Sequence, residues 1–114
     1  MKYHFERNLK IINELMTYLY KLGSKDIHVT LHRDDSNTCF LIWGETNNID
    51  STELDNLTTI LNTKRQREVE ESYWHLGSEG ESDGELSLVG MMIDKAEVTY
   101  SDNILTLKIY RNEF

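Results

Sequence analysis

Residues 83–93 read DGELSLVGMMI, and this stretch decides how the second half of the chain is interpreted. Its apolar residues Leu86, Val89 and Ile93 recur at steps of three and four residues, which is the spacing of one helix face. The spacing predicts a short helix from about Leu86 to Lys95. The small and acidic residues 77–85 before it carry no apolar anchor, so they are predicted to form a mobile loop.

Two strands are predicted after this helix. Residues 96–100 read AEVTY and residues 103–109 read NILTLKI, and in both stretches apolar and polar side chains alternate. Residues 101–103, Ser-Asp-Asn, favour a tight turn between them. The chain is therefore predicted to end in an antiparallel hairpin.

The first half of the chain begins with an amphipathic pattern. The apolar residues before Gly23 recur at helical steps, which predicts a helix, and Gly23 supplies a natural C-terminal stop for it. One face of this helix is predicted to be buried. It consists of Phe5, Leu9, Ile12, Leu15, Met16, Leu19 and Leu22.

A second hairpin and a second helix are predicted next. Residues 27–31 alternate as a half-buried strand does, residues 34–37 (Asp-Asp-Ser-Asn) favour a turn, and residues 38–43 form the partner strand. Asp50 then offers an N-cap and Glu53 a reciprocal carboxylate for a helix. Its buried face is predicted to consist of Leu54, Leu57, Ile60 and Leu61.

The predicted order is helix, two strands, helix, loop, helix, two strands. This order indicates an α+β protein: a two-layer sandwich whose sheet is mixed but mostly antiparallel, with the helices on one face. The 114 residues show no repeat or linker that divides them, so residues 1–114 are predicted to be a single domain.

Charge narrows the classes of partner. The formal net charge is −8, and nucleic-acid binding draws its affinity from clustered Lys and Arg, so nucleic acid is predicted not to be a partner. The one dense basic cluster, Lys64, Arg65 and Arg67, is followed at once by acidic residues. It is interpreted as a solvated helix face.

The sequence also limits the chemistry of its cysteine and the cellular compartment that is expected. The single cysteine, Cys39, cannot form an internal disulfide, and its apolar neighbours predict a small buried side chain. The chain carries no apolar run of the ~20 residues that span a bilayer and no signal-peptide core at its start. Cytoplasmic residence and no membrane partner are the corresponding expectations.

The order of the elements and the glycine and turn residues between them resemble the ATPase domain shared by histidine kinases, type II topoisomerases and anti-sigma-factor kinases. The similarity covers most of the chain. It implies a nucleotide pocket formed by Glu14 and Tyr18 on the first helix, Glu45 after the second strand, and Gly84 before the third helix. Tyr18 falls where the family has its magnesium-binding asparagine, and a phenol is a poor ligand for Mg²⁺.

The other family motifs also depart from the pattern in this chain. Glu45 approximates the adenine-binding aspartate only if the strand ends one residue out of register, and otherwise Trp43 or Gly44 takes that place. The phosphate loop has Asp83 and Glu85 at two glycine positions, and two carboxylates repel a triphosphate. The resemblance therefore implies a degenerate, non-catalytic relative with no cofactor, in which ATP and Mg²⁺ are disfavoured.

Three functions are compatible with these observations. The first is a protein-binding or regulatory module of bacterial signalling, which binds a protein partner or homodimerises through its first helix. The second is a divergent ATPase or kinase with Glu14 as base and Glu45 for adenine. The third is an unrelated ferredoxin-like or other α+β adaptor. No complete catalytic or metal motif is present in the sequence, so a non-enzyme is favoured.

Two aromatic residues are candidates for contact with a partner. Tyr73 and Trp74 follow the weakly patterned segment after the second helix. Interface hot spots favour aromatic side chains, whereas packing against the domain's own core is the equally weighted alternative.

Overall fold

The computed structural model describes residues 3–73 and 83–113. These residues form four helices and four strands. In chain order they are α1 (His4–Lys21), β1 (Ile27–Arg33), β2 (Asn37–Glu45), α2 (Ser51–Leu61), α3 (Arg67–Tyr73), α4 (Asp83–Met92), β3 (Lys95–Ser101) and β4 (Ile104–Asn112).

The strands form one sheet in the order β1-β2-β4-β3, and each neighbouring pair is antiparallel. The predicted α+β class is therefore confirmed. The predicted mixed sheet is wrong for the described strands, because both hairpins are joined through an antiparallel β2–β4 pair and no parallel pair occurs among them. Strand β4 lies between β2 and β3, the two strands that are connected through helices, as in a split βαβ unit. The ferredoxin-like alternative therefore stays a prediction.

The core lies between one face of the sheet and the described helices. Alternate residues of β2 and β4 point to this inner face, and Phe40, Ile42, Leu105, Leu107 and Ile109 are fully buried there. The helices cover them with Ile11, Leu15, Leu19, Leu57, Leu61, Val89 and Met92. The opposite, outer face of the sheet carries half-buried and exposed side chains, so the architecture has two layers.

Local chemistry explains where the elements begin and end. The Asp34 carboxylate accepts hydrogen bonds from the backbone N–H groups of Ser36 and Asn37, which closes the β1–β2 turn. Asp102 and Asn103 both have positive φ, as a two-residue hairpin turn requires. These observations confirm both predicted hairpins.

Helix α2 begins as predicted. The Asp50 side chain accepts a hydrogen bond from the backbone N–H of Glu53, so Asp50 is the N-cap. The Glu53 carboxylate was predicted to accept a reciprocal hydrogen bond at the N-cap, but it accepts one from the Tyr18 hydroxyl instead. A cap residue on α2 is thereby used to join α2 to α1.

Helix α1 has the predicted length, but its buried face is different. Ile11, Leu15 and Leu19, four residues apart, are fully buried, whereas Phe5, Leu9 and Met16 are exposed. The prediction that these three belong to the buried stripe is wrong. The helix is apolar on two sides, and only one of them packs against the core.

Two predicted boundaries also change. Helix α4 begins at Asp83 and ends at Met92, and Lys95 is already in β3. Residues 83–85 are therefore helical rather than part of a loop, and the rest of the predicted loop lies outside the described residues. Helix α3 had no clear apolar period and was not predicted as a separate element.

Candidate functional site

The residues predicted to form a nucleotide pocket on α1 are engaged in contacts within the protein. Glu14 is buried, and its carboxylate accepts a hydrogen bond from Lys10 Nζ at 2.8 Å, one helical turn away. The Tyr18 hydroxyl donates to Glu53 Oε2 at 3.0 Å. Both side chains therefore have partners within the fold.

A cleft of about 340 Å³ adjoins Tyr18 and Glu53. Its other described lining residues are Asn56, Leu57, Thr59, Ile60 and Leu86. Glu53 is the one charged side chain in this set, and it is acidic. The described lining therefore supplies no positive charge to hold a phosphate group.

Glu45 and Gly84, the other two predicted pocket residues, are placed on separate elements. Glu45 is exposed at the end of β2, and its backbone carbonyl accepts a hydrogen bond from Ser24 Oγ at 2.6 Å. Gly84 lies in the first turn of α4.

Gly44, the residue before Glu45, is packed closely against the chain. A Cβ atom at this position would lie 2.9 Å from the Asp26 carbonyl oxygen, so close packing requires a glycine here.

The predicted aromatic contact residues lie at the border of the described chain. Tyr73 is the last residue of α3. Trp74 lies outside the described residues. Their role in partner binding stays a prediction.

Within the basic cluster that was predicted to be solvated, Lys64 and Arg67 are exposed, whereas Arg65 is not. Arg65 is largely buried, and its guanidinium contacts Glu70 Oε1 at 3.1 Å and Asp94 Oδ2 at 2.9 Å. Glu70 is fully buried and also contacts Arg7 and Arg111. No pattern in the sequence indicated this cluster, because its members come from four separate segments of the chain.

Electrostatics in the cluster favour a charged Glu70. Burial raises the pKa of this carboxyl, but hydrogen bonds and charge interactions with Arg111, Arg65 and Arg7 outweigh burial, so the pKa is below its ordinary value. Burial likewise lowers the pKa of Arg111, and Glu70 opposes that shift. The cluster is a structural ion network that joins α1, α3 and β4.

A second cleft, of about 510 Å³, lies beside this network. His32, Arg67 and Arg111 line it together with the acidic residues Asp34 and Asp94. Arg111 already contacts Glu70 and the Met92 carbonyl oxygen. The mixture of charges and the engaged guanidinium do not define a site for an anion.

Metal binding is not indicated in the described parts of the chain. Residues 3–73 and 83–113 contain no group of three or more His, Cys, Asp or Glu side chains arranged to hold a metal ion. His28 and His32 are both exposed on the outer face of β1, and the His28 ring stacks on Trp43 with 3.8 Å between ring centroids. Cys39 lies on that outer face and is half-buried, so the prediction of a buried side chain is wrong.

The most distinctive surface is on α1. Phe5, Leu9, Met16 and Tyr20 recur at steps of four, seven and four residues and are 62, 46, 37 and 73% exposed. At about 100° per residue these positions lie on one side of the helix. We refer to these four residues as the outer stripe.

The position of the outer stripe follows from contacts of the rest of α1. Arg7 reaches Glu70 of α3, and Tyr18 reaches Glu53 of α2, so this side of the helix faces the other helices. Met16 is nine residues from Arg7, which places it about half a turn away, on the opposite side. Because α1 packs over β1 and β2, the outer stripe lies toward the β1 edge of the sheet.

Strand β1 extends the apolar surface at that edge. Val29 is 36% exposed, and its register opposite Ile42 places it on the inner face of the sheet, the face on which α1 lies. Exposed apolar side chains on neighbouring elements are typical of interaction sites. We refer to the outer stripe together with Val29 as the β1 flank.

Comparison of the chain with protein-family models gives no match, and comparison with curated proteins also gives none. A search of residues 3–73 and 83–113 for membrane spans finds no helix with the length and apolarity needed to cross a bilayer. The kinship with histidine-kinase-like ATPases thus stays a prediction from the resemblance.

Proposed function

We propose that this protein is a non-catalytic protein-binding module and that the β1 flank is its docking surface. The outer stripe of α1 carries the proposal. Four large apolar side chains face outward along one helix side, although the same helix already buries Ile11, Leu15 and Leu19 against the core. Core packing therefore does not account for them.

The energetics favour a protein partner for this surface. Full burial of a large apolar side chain contributes about 1.5–3 kcal/mol, so covering several of these side chains offsets the cost of association. Aromatic and Met side chains are also enriched at interfaces, and the stripe contains Phe5, Tyr20 and Met16. An apolar helix side of this kind fits a helix-packing or groove-type interface.

The more specific role that we propose for this module is regulation in bacterial signalling. Its support is the resemblance of the chain to histidine-kinase-like ATPases, in which the nucleotide positions are replaced. The contacts of Glu14 with Lys10 and of Tyr18 with Glu53 agree with a non-catalytic role, because both side chains are used within the fold.

Site-specific photo-cross-linking tests the docking surface. A photoreactive phenylalanine analogue at Leu9, in the outer stripe, is expected to give a discrete protein adduct in cells. The same analogue at Asp55, an exposed position of α2, is the control and is expected to give none. A Met16→Glu change should remove the Leu9 adduct. Equal labelling from Leu9 and Asp55 would show that the stripe is not a docking surface.

Calorimetric titration with Mg-ATP tests the competing enzymatic function. We expect no saturable heat at millimolar nucleotide, because the described cleft beside Tyr18 has an acidic and no basic lining. Saturable binding that is weakened by Glu53→Gln or Glu14→Gln would overturn the non-catalytic assignment.

A further inference from the structure

Strand β1 is an edge strand with an open side. It pairs with β2, and no other described strand pairs with its second side. An unpaired row of N–H and C=O groups is a template for another strand, and natural proteins usually protect it with Lys, Pro or inward-pointing charges. Residues 27–33 read IHVTLHR, with neither Pro nor Lys, and the one permanent charge is on the last residue, Arg33.

The other edge of the sheet has the protection that β1 lacks. Strand β3 carries Lys95 and Glu97, which are exposed and form an ion pair at 3.3 Å. Charged side chains along an edge oppose pairing with another strand. The two edges therefore differ, and β1 is the one suited to pairing.

The distribution of acidic residues favours a second copy of this chain at the β1 edge. The chain has 20 Asp and Glu residues and a net charge of −8, so most surfaces of two copies repel each other. Strand β1 contains no acidic residue, and none of the four outer-stripe residues is charged. Two copies can approach at the β1 flank with apolar side chains in contact, and the one permanently charged residue of β1, Arg33, lies at the end of the strand.

We propose that the β1 flank joins two copies of this chain, with β1 pairing antiparallel to β1 of the second copy. The inference rests on the proposed function and names its partner. A two-fold axis perpendicular to the sheet generates this pairing, as in other isologous dimers. The two sheets become one eight-stranded sheet, and both α1 helices lie on the same face, one on each side of the axis.

This symmetry uses both parts of the β1 flank. The outer stripe of each α1 faces the β1 edge, so the two stripes approach each other across the axis. Pairing about the strand midpoint, Thr30, sets Val29 of one copy opposite Leu31 of the other. Apolar pairs directly opposite each other on neighbouring strands stabilise a sheet.

Sedimentation equilibrium of the intact protein tests the association. The wild type is expected at twice the 13.4 kDa mass of the chain. Met16→Glu in the stripe and Val29→Glu in the strand should each weaken the dimer at least tenfold, because they place acidic charges at the axis. Thr99→Glu, on the exposed outer face of β3, is the matched control and should leave the mass unchanged. Circular dichroism and urea midpoints verify that each variant is folded.

Cysteine cross-linking tests the strand pairing itself. Cα atoms directly opposite each other in an antiparallel pair are about 4.5–5.5 Å apart, which is within the range of a disulfide. Thr30→Cys in a Cys39→Ser background should therefore form a covalent dimer with copper-phenanthroline as oxidant. Thr99→Cys in the same background is the control and should remain monomeric.

The outcomes separate this inference from the proposed function. A monomeric wild type at 100 µM overturns the second-copy assignment. A dimer that persists in both glutamate variants overturns the β1 flank as the dimer interface. A dimer in which the Thr30→Cys variant does not cross-link overturns the β1 pairing. If the wild type is monomeric while the analogue at Leu9 still gives a specific adduct with another protein, the docking function stands and only its partner is wrong.

Discussion

The guanidinium of Arg111 contacts the carboxylate of Glu70 at 2.6 Å, and both side chains are fully buried. Arg111 belongs to β4 and Glu70 to α3, so this ion pair connects the sheet to a seven-residue helix. The same carboxylate contacts Arg7 of α1 at 3.0 Å. A single glutamate thus contacts several buried cations, and its removal takes away the anion that they share.

The first prediction concerns this glutamate. Glu70→Gln keeps the shape of the side chain but removes its charge, so Arg7 and Arg111 lose their buried counterion. Breaking a buried ion pair from one side typically costs about 3–5 kcal/mol. We expect a loss of free energy of unfolding of that order, measured by urea denaturation.

Glu71 provides the matched control for Glu70. It is the next residue of α3 and is exposed. Glu71→Gln is expected to change the free energy of unfolding by less than about 0.5 kcal/mol. Similar losses for the two variants would contradict a special role for the buried cluster.

The second prediction concerns acid stability. Burial raises the pKa of Glu113, but hydrogen bonds from Asn8 and Thr38 and the charges of His4 and Arg33 lower it by more, so the pKa is below the ordinary value of 4.5. Glu70 is shifted in the same direction. The unfolded chain therefore binds more protons than the folded protein as the pH falls below about 4.5.

It follows that the stabilisation from these carboxylates is fully present above their unfolded pKa and is lost as the pH falls through the folded pKa. The urea midpoint of the wild type should fall between pH 5 and pH 3. Glu113→Gln should lower the midpoint at pH 7 and flatten its dependence on pH below about 4.5. A variant with the wild-type slope would show that Glu113 does not contribute.

The third prediction concerns the contact between α2 and α4. A Cβ atom at Gly90 would overlap the Ile60 carbonyl oxygen, so the two helix backbones are too close for a side chain. Gly90→Ala should destabilise the protein by about 1–3 kcal/mol, as overpacking does, although alanine favours helix formation. Asn56→Ala, at an exposed position of α2, is the control. A stabilised Gly90→Ala variant would contradict this packing.

The sequence was informative where structure depends on neighbouring residues. The alternation in β1, the Asp34 turn and the Asp50 cap each involve contacts within a few positions, and the structure confirms them. The face of α1 that is buried was not predictable in this way. Because α1 has apolar residues on two sides, its buried side is determined by packing against the sheet and by the contact of Arg7 with Glu70, which is 63 positions away.

The candidate site was less predictable for the same reason. Glu14 and Tyr18 were chosen by their place in a family pattern, but their contacts depend on Lys10 and Glu53. The β1 flank combines α1 with a sheet edge, and the edge position of β1 follows only from strand order. Periodicity identifies strands without giving that order, so the flank had no signal in the sequence.

The fourth prediction compares two tyrosines of α1. The Tyr18 hydroxyl donates to the Glu53 carboxylate at 3.0 Å in a partly buried contact, whereas Tyr20 is 73% exposed in the outer stripe. Tyr18→Phe removes a hydrogen bond to a charged acceptor and should cost about 1.5–3 kcal/mol of unfolding free energy. Tyr20→Phe removes a hydroxyl at the surface and should cost less than about 0.5 kcal/mol. Urea denaturation of the two variants measures the difference. Equal costs would show that the α1–α2 hydrogen bond does not stabilise the fold, and they would make Tyr18 available for another role.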